Sequence, residues 1–457
     1  MKNSLRISTF IVALVIVVAG VQSSFASPTR MNALGMDSTS YWMLQKDTTT
    51  TAYFPSYGVQ FPALMAITAG DASPSASIFL KPAENMELWL YSGGALSDGT
   101  GTVSATNFAG LFINAPAAMV TGNAASKVDI SRETYAALFA MKMGNMGIGL
   151  KYGASDSSSV TKASDSTAAT SSKADYAKAI QYVLAGFDMD MGAMGVDLGL
   201  KYTMYDFAGK TSALLASGDT TSQKYAAAPS DTSIFARFNM ALSEISKMHV
   251  FLGYTMLDRG DKLTDNSVTG GVSSTTVNKS THTGTVTMIG ASNEMKFAQN
   301  AFAYFGFLYT MAAYDIKNSK AVDGVVDPST KYTVAQDTFK VYMGTQAQLT
   351  KNLSGIVGMQ RVWDVTSSTK AKTTTSTTVQ KNDVDTVNPT TTAGSTLPVG
   401  SWGLLYNWGH FTIEAKMTTD VLRKGPWFVS GTANDMAASV NIVYAFGKQA
   451  NFDDEKK

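Results

Sequence analysis

Gly144-Asn145 stands between two segments whose apolar residues fall on alternate positions, and short turns of this kind recur roughly every 50 residues along the chain. The others lie at Asp190-Met191-Gly192, Glu244-Ile245-Ser246, Ala298 to Asn300, Lys351-Asn352 and Asn407-Trp408-Gly409. Gly and Asn tolerate the positive φ that tight hairpin turns require. Between them the chain makes a second kind of connection, long and rich in Ser, Thr, Asp and Gly, at 154–174, 208–231, 258–283, 314–335 and 364–398. These stretches lack helical periodicity and read as mobile polar loops. A propeller could repeat at this spacing, but its four short strands per blade give no systematic split between tiny and very long connections. A membrane barrel with short periplasmic turns and long extracellular loops has that split by construction.

The segments between the turns each have two chemically different faces, because side chains alternate along a strand. In 146–153, Ile148, Leu150 and Tyr152 alternate with Gly147, Gly149, Lys151 and Gly153. In 194–206, Val196, Leu198, Leu200, Tyr202 and Met204 oppose Asp197, Gly199, Lys201 and Thr203. Segments 233–243, 248–256 and 339–349 repeat the pattern, whereas 301–311, much of 76–80 and 107–114 are apolar on both faces and suit a place beside an internal plug or a partly apolar lumen. Sixteen candidate strands result, near 76–80, 86–93, 107–114, 134–143, 146–153, 175–189, 194–206, 231–243, 247–257, 285–296, 300–312, 336–350, 353–364, 399–407, 410–421 and 436–446. The expected fold is therefore all-β: a transmembrane antiparallel up-and-down barrel of about 14–16 strands, an even number being the rule for bacterial single-chain barrels. Closure pairs every edge, which lipid demands because it offers no hydrogen-bond partner.

Composition agrees. The 16% charged fraction lies below the roughly 25% typical of soluble domains, while 45% of residues are hydrophobic. After the first residues there is no apolar run of about 18 residues that would make a spanning helix. Residues 1–26 read as a signal peptide: Lys2 and Arg6, then the apolar core Phe10–Val21, then the small-x-small pattern Ser24-Phe25-Ala26. Export through a cleaved signal and residence in a Gram-negative outer membrane follow as expectations. With no cysteine the chain has no disulfides, and its net charge of +1 gives no basic nucleic-acid footprint. The three histidines, His249, His282 and His410, sit on separate segments, so neither a catalytic triad nor a metal site is supported, and no enzyme activity or cofactor is expected.

Charges on strand faces are assigned inward, since a charge facing lipid costs roughly 2–4 kcal/mol at the midplane. Lys151, Asp197, Lys201, Arg237, Asn239, Lys340, Gln346, Glu414, Lys416 and Asp420 are the lumen-facing candidates. Trp89, Trp363, Trp402, Trp408 and Trp427, with Tyr152, Tyr205, Tyr254 and Tyr309, fall near strand ends and fit interfacial girdles. At the far end, Val440, Ile442, Tyr444 and Phe446 share a face and resemble the aromatic C-terminal signal read by the barrel-assembly machinery, here followed by the polar tail 447–457.

Two N-terminal stretches resemble the FadL-type family of outer-membrane transporters for hydrophobic compounds. Arg30-Met31-Asn32-Ala33-Leu34-Gly35 matches an Arg-x-x-Ala-x-Gly stretch of that family, and Asp71-Ala72-Ser73, Ile78-Phe79 and Lys81-Pro82-Ala83 partly match a second, with Lys81 in place of an Asn and extra residues between the blocks. The resemblance implies a 14-stranded barrel with the segment 27–75 folded inside as a plug; a periplasmic arm is the other reading of 27–75, with the barrel over 76–446. The first functional expectation is a porin-like channel passing small solutes through a polar lumen. A FadL-like carrier of hydrophobic compounds is the alternative, and a structural or adhesive barrel displaying the Ser/Thr-rich loops is a third. Outer-membrane lipid, the transported solute and the assembly machinery are the expected partners. A homo-oligomer is compatible with all three readings, and nucleic acid with none.

Overall fold

The computed structural model describes residues 28–446 apart from 45–47, 70–74, 93–134, 166–169, 216, 299–300, 324, 327–329, 378–379, 389–398 and 419–438. The segment 1–26 expected to be a signal peptide, the strand expected at 107–114, Asp420, Trp427 and the tail 447–457 lie outside the described residues.

Nineteen strand segments form one antiparallel sheet. They are β1 (Leu64–Ala69), β2 (Ser75–Ala83), β3 (Met86–Ser92), β4 (Tyr135–Met143), β5 (Met146–Asp165), β6 (Thr170–Asp190) and β7 (Met194–Leu214). Then come β8 (Thr220–Ala227), β9 (Ser230–Ser243), β10 (Ser246–Thr269), β11 (Val272–Ala298), β12 (Ala301–Val322) and β13 (Val325–Val326). The last are β14 (Thr330–Gln348), β15 (Leu353–Thr377), β16 (Gln380–Asn388), β17 (Val399–Trp408), β18 (Phe411–Thr418) and β19 (Ser439–Ala445). Three pairs of segments are pieces of one stave: β8 and β9 both lie between β7 and β10, β13 and β14 both pair with β12, and β16 and β17 both pair with β15. The sheet thus has sixteen staves. It closes on itself where β19 pairs with β1, from Leu64 opposite Ala445 to Ala69 opposite Val440.

Sixteen lies within the range read from alternation, and two above the number that the FadL-type resemblance implies. The first stave, Leu64–Ala69, falls in the region expected to form an N-terminal arm, so the barrel begins twelve residues before 76. Its sequence LMAITA is apolar on both faces, because one face meets lipid and the other meets packed protein, and the alternation that marks other staves is lost.

The two faces separate as expected. Leu150 (53% exposed), Leu200 (53%) and Ile234 (50%) point outward, while Lys151, Lys201 and Arg237 on the same staves are buried inside. Short turns mark one rim, the lower rim, expected from the sequence to be periplasmic. Gly144 and Gly409 each take a φ of +63° at the first turn position, and Asp323 is the one described non-glycine residue with positive φ, which fits the II′ type that follows strand twist. The last turn is Gly409-His410 rather than Asn407-Trp408-Gly409.

Most described residues of the long polar stretches are strand rather than loop. β5 continues to Asp165, β7 to Leu214, β10 and β11 run 24 and 27 residues, and β15 reaches Thr377. The backbone ladder simply carries on above the lipid. Thr and Ser are acceptable there because the outward face has left the lipid, while the inward face of β7 to β11 still buries Phe207, Tyr225, Asp261, Ser280 and His282.

Aromatic residues mark both edges of the lipid band. Outward Tyr152, Tyr202, Tyr254, Phe307, Phe339 and Trp363 lie at its upper edge, the last three in a chain of ring contacts at 6.1 and 5.7 Å. Trp408, Phe411, Tyr444 and Phe446 cluster at the lower rim, with ring centroids 6.3, 4.7 and 4.9 Å apart in succession. Trp89 and Tyr205 correct the expected girdle: both are buried (each 8% exposed) on the inner face, at the inward parity of β3 and β7.

Inside the lower half of the wall lies the segment that precedes β1. It comprises a short helix α1 (Pro28–Ala33) and three 3₁₀ turns at Ser38–Met43, Thr48–Ala52 and Pro55–Gln60. The Asp37 carboxylate accepts from the Thr39 amide at 3.0 Å and the Ser40 hydroxyl accepts from the Asp37 amide at 3.0 Å, a capping box that starts the first turn. This inner segment and the wall share one apolar core.

Candidate functional site

The interface between the inner segment and the lower wall concentrates most of the sequence-predicted lumen residues. Its apolar part is aromatic. Trp42 stacks on Phe251 at 4.7 Å, Tyr53 meets Phe235 and Phe251 edge-on at 5.0 and 5.4 Å, and all four are fully buried. Close approach is possible because the wall carries glycine where the segment touches it. A Cβ on Gly358 would overlap the Leu34 carbonyl carbon, and one on Gly199 the Tyr53 carbonyl oxygen. Gly149 serves the same end, facing the Pro55–Ser56 backbone, whereas Gly147 and Gly153 make room for the wall side chains Asp188 and Tyr182.

Buried charge ties the segment down at two places. On one side Asp197 accepts from Arg237 Nε at 2.7 Å, Asn239 Nδ2 at 2.7 Å and the Tyr57 hydroxyl at 3.1 Å. Arg237 also donates to the Trp42 carbonyl at 2.7 Å, and its guanidinium lies 4.8 and 4.9 Å from the Phe54 and Tyr57 ring centroids. Asn239 turns its amide to Asp197, so its oxygen faces His249 Nδ1 at 2.7 Å, which must then carry the proton. On the other side Lys340 donates to Asp37 at 2.9 Å and to Thr39 Oγ1 at 3.2 Å, and Tyr342 donates to Asp37 at 3.1 Å. Burial pushes the Asp37 carboxyl upward, but the charge of Lys340 and the hydroxyl contacts outweigh it and hold the group below the ordinary carboxylate value. Gln346 accepts from Arg30 Nε at 2.7 Å, and Ser401 donates to the Asn32 carbonyl at 2.8 Å.

Two predicted lysines lie elsewhere. Lys151 Nζ sits 4.5 Å from the Trp89 ring centroid, and Lys201 Nζ 4.6 Å from that of Tyr182. Trp89 in turn stacks on Phe79 at 5.3 Å, and Phe79 meets Phe61 at 6.2 Å, so this patch joins the core at the end of the inner segment. Glu414 accepts from Asn441 at 3.1 Å on the seam side, and Lys416 shares its face, half-buried.

The lower lumen is therefore not the open polar passage that was the first expectation. It is filled by protein, and its polar groups mostly bond to one another across the interface. Sequence reasoning missed Arg30, Asp37, Trp42 and Tyr57 because turns of five or six residues leave no periodic signature. The available signal was aromatic density without alternation: Tyr41, Trp42, Tyr53, Phe54, Tyr57 and Phe61 within a short stretch. His249, which sequence alone makes a turn-proximal polar residue, is fully buried in the charge network. A cavity of about 150 Å³ opens beneath it at the lower rim, lined among others by Tyr57, Asp188 and Lys247.

No family model matches the chain, and no curated protein does. Among solved structures, the barrel resembles the Pseudomonas putida toluene transporter TodX (TM-score 0.41, 10% identity, 93% of this chain and 98% of that one). It also resembles a Pseudomonas aeruginosa FadL homologue (TM-score 0.45, 10% identity, 94% and 100%) and the Ralstonia pickettii toluene transporter TbuX (TM-score 0.41, 8% identity, 91% and 100%). Likeness at these scores carries no argument about what this chain moves.

Proposed function

We propose that the chain is an outer-membrane channel for hydrophobic compounds, closed at rest by the inner segment acting as a plug. The observation that supports this is the shared aromatic core: Trp42, Tyr53 and Phe54 packed on Phe235 and Phe251, continued by Phe61, Phe79 and Trp89 along the inner wall. Apolar walls of this kind favour an apolar solute over a hydrated one, because burying apolar surface is worth roughly 25 cal/mol per Å² while a stripped hydration shell is a loss. Passage needs the segment to shift, and the polar contacts at Asp197 and Lys340 set how firmly it is held.

The test is reconstitution of the full chain in liposomes and planar bilayers. The expected result is uptake of a small monoaromatic compound, with no steady conductance and no swelling with sugars. Steady ion conductance with sugar permeation by the intact chain would overturn the reading in favour of a general diffusion pore.

A further inference from the structure

On the outward face, three staves repeat one spacing. Lys210 follows Tyr202 by eight residues, Lys262 follows Tyr254, and Lys317 follows Tyr309. Each aromatic residue belongs to the upper girdle. Eight residues at about 3.3 Å, on a strand tilted about 40°, place the lysine positions at one level, roughly 20 Å above the girdle.

The sheet register adds to this. Lys210 stands directly opposite Lys224, and Lys262 opposite Lys279. Directly opposed residues share a face, and like charges so placed are destabilising. At one flank an acid stands opposite, where Asp175 faces Lys210. In the middle the other ladder neighbours are Ala226 for Lys262, Ser319 for Lys279 and Thr281 for Lys317. A chain of net charge +1 has thus gathered opposed lysines into a belt at constant height.

We propose that this belt binds the phosphate groups of the glycolipid that forms the outer leaflet around the barrel. Phosphates on the sugar core of that lipid lie in a plane parallel to the membrane and above its acyl chains. A planar anionic layer calls for cations at one level on successive staves, which a soluble polyanion does not. Each opposed lysine pair becomes a two-pronged phosphate clamp, and the anion removes the repulsion that the bare sheet carries. The inference is independent of what the channel transports.

The experiment uses the full chain in detergent, with folding checked by heat-modifiable migration on a gel. Thermal midpoints are read with phosphorylated rough lipopolysaccharide, with the same lipid after phosphatase treatment, and with duplex DNA. The variant is K262Q/K279Q/K317Q. The wild type is expected to gain stability from the phosphorylated lipid only, and the variant to bind it at least about tenfold more weakly while melting, without lipid, no lower than the wild type. Equal gains from both lipid forms, or an undiminished gain in the variant, overturn the proposal. An equal gain from DNA overturns it in favour of an unspecific polyanion surface. If the variant does not fold, the comparison of the two lipid forms on the wild type decides alone.

Discussion

The lower and upper halves of the wall are one hydrogen-bonded sheet in two surroundings. Below the upper girdle most outward positions are apolar or aromatic, with Arg361, Asn293 and Thr345 as exceptions, and most inward positions meet the inner segment or one another. Above it, from about Ser155 on β5 or Thr366 on β15, the ladder continues through sequence rich in Ser, Thr, Lys and Asp. Backbone pairing is the same in both regions. Packing is not, and the difference shows that the ladder sets the architecture while the side chains set where the molecule can sit and what it encloses.

Four perturbations probe that difference. Arg237→Ala should act most strongly, since it leaves Asp197 buried with a lost cation; removing one partner of a buried pair costs roughly 3–5 kcal/mol. Denaturant midpoints in detergent would show the loss, and bilayer recordings should show leak conductance as the segment loosens. A change that left both unmoved would mean that Asp197 does not hold the segment. Next, Leu150→Arg on the lipid face should cost about 2–4 kcal/mol, whereas Thr283→Arg, exposed and outward on β11, should stay within about 0.5 kcal/mol. Equal costs would erase the distinction between the halves. Gly358→Ala should cost on the order of 1–3 kcal/mol by overpacking against Leu34; the signature is a change in Trp42 fluorescence with the wall still heat-modifiable. Smallest is the effect of acid. Asp37 has a lowered carboxyl value, so its contribution is complete above the ordinary carboxylate range near pH 4 and is lost as pH falls through its own lower value. The loss should be no more than about 1 kcal/mol, absent in Lys340→Met, and without counterpart between pH 6 and 8.

Much of the wall is legible in the chain because lipid imposes alternation: Ile148, Leu150 and Tyr152 could be assigned outward and Lys151 inward from spacing alone. Three features resisted. Leu64–Ala69 meets lipid on one face and packed protein on the other, so it carries no alternation. The stave extensions have no lipid to impose an apolar outward face, so Ser/Thr composition suggested loops where the ladder persists. The inner segment is held by contacts with residues 140 to 370 positions away, such as Tyr57 with Asp197 and Asn32 with Ser401, and no local pattern encodes those. His249 and Trp89 followed the same rule, their roles being fixed by partners from distant parts of the chain.

The seam between β19 and β1 carries a consequence for how the molecule is made. Phe446 donates its amide to the Ala63 carbonyl at 2.8 Å, joining residues 383 positions apart at the rim from which the inner segment also hangs. Until 439–445 have been synthesised, the sheet keeps two bare edges and the cylinder has no inside. The inner segment is therefore the first part of the described chain to leave the ribosome, while the wall that encloses it is completed by the last. Any factor that guides the final strand to the first also governs what the closed cylinder contains.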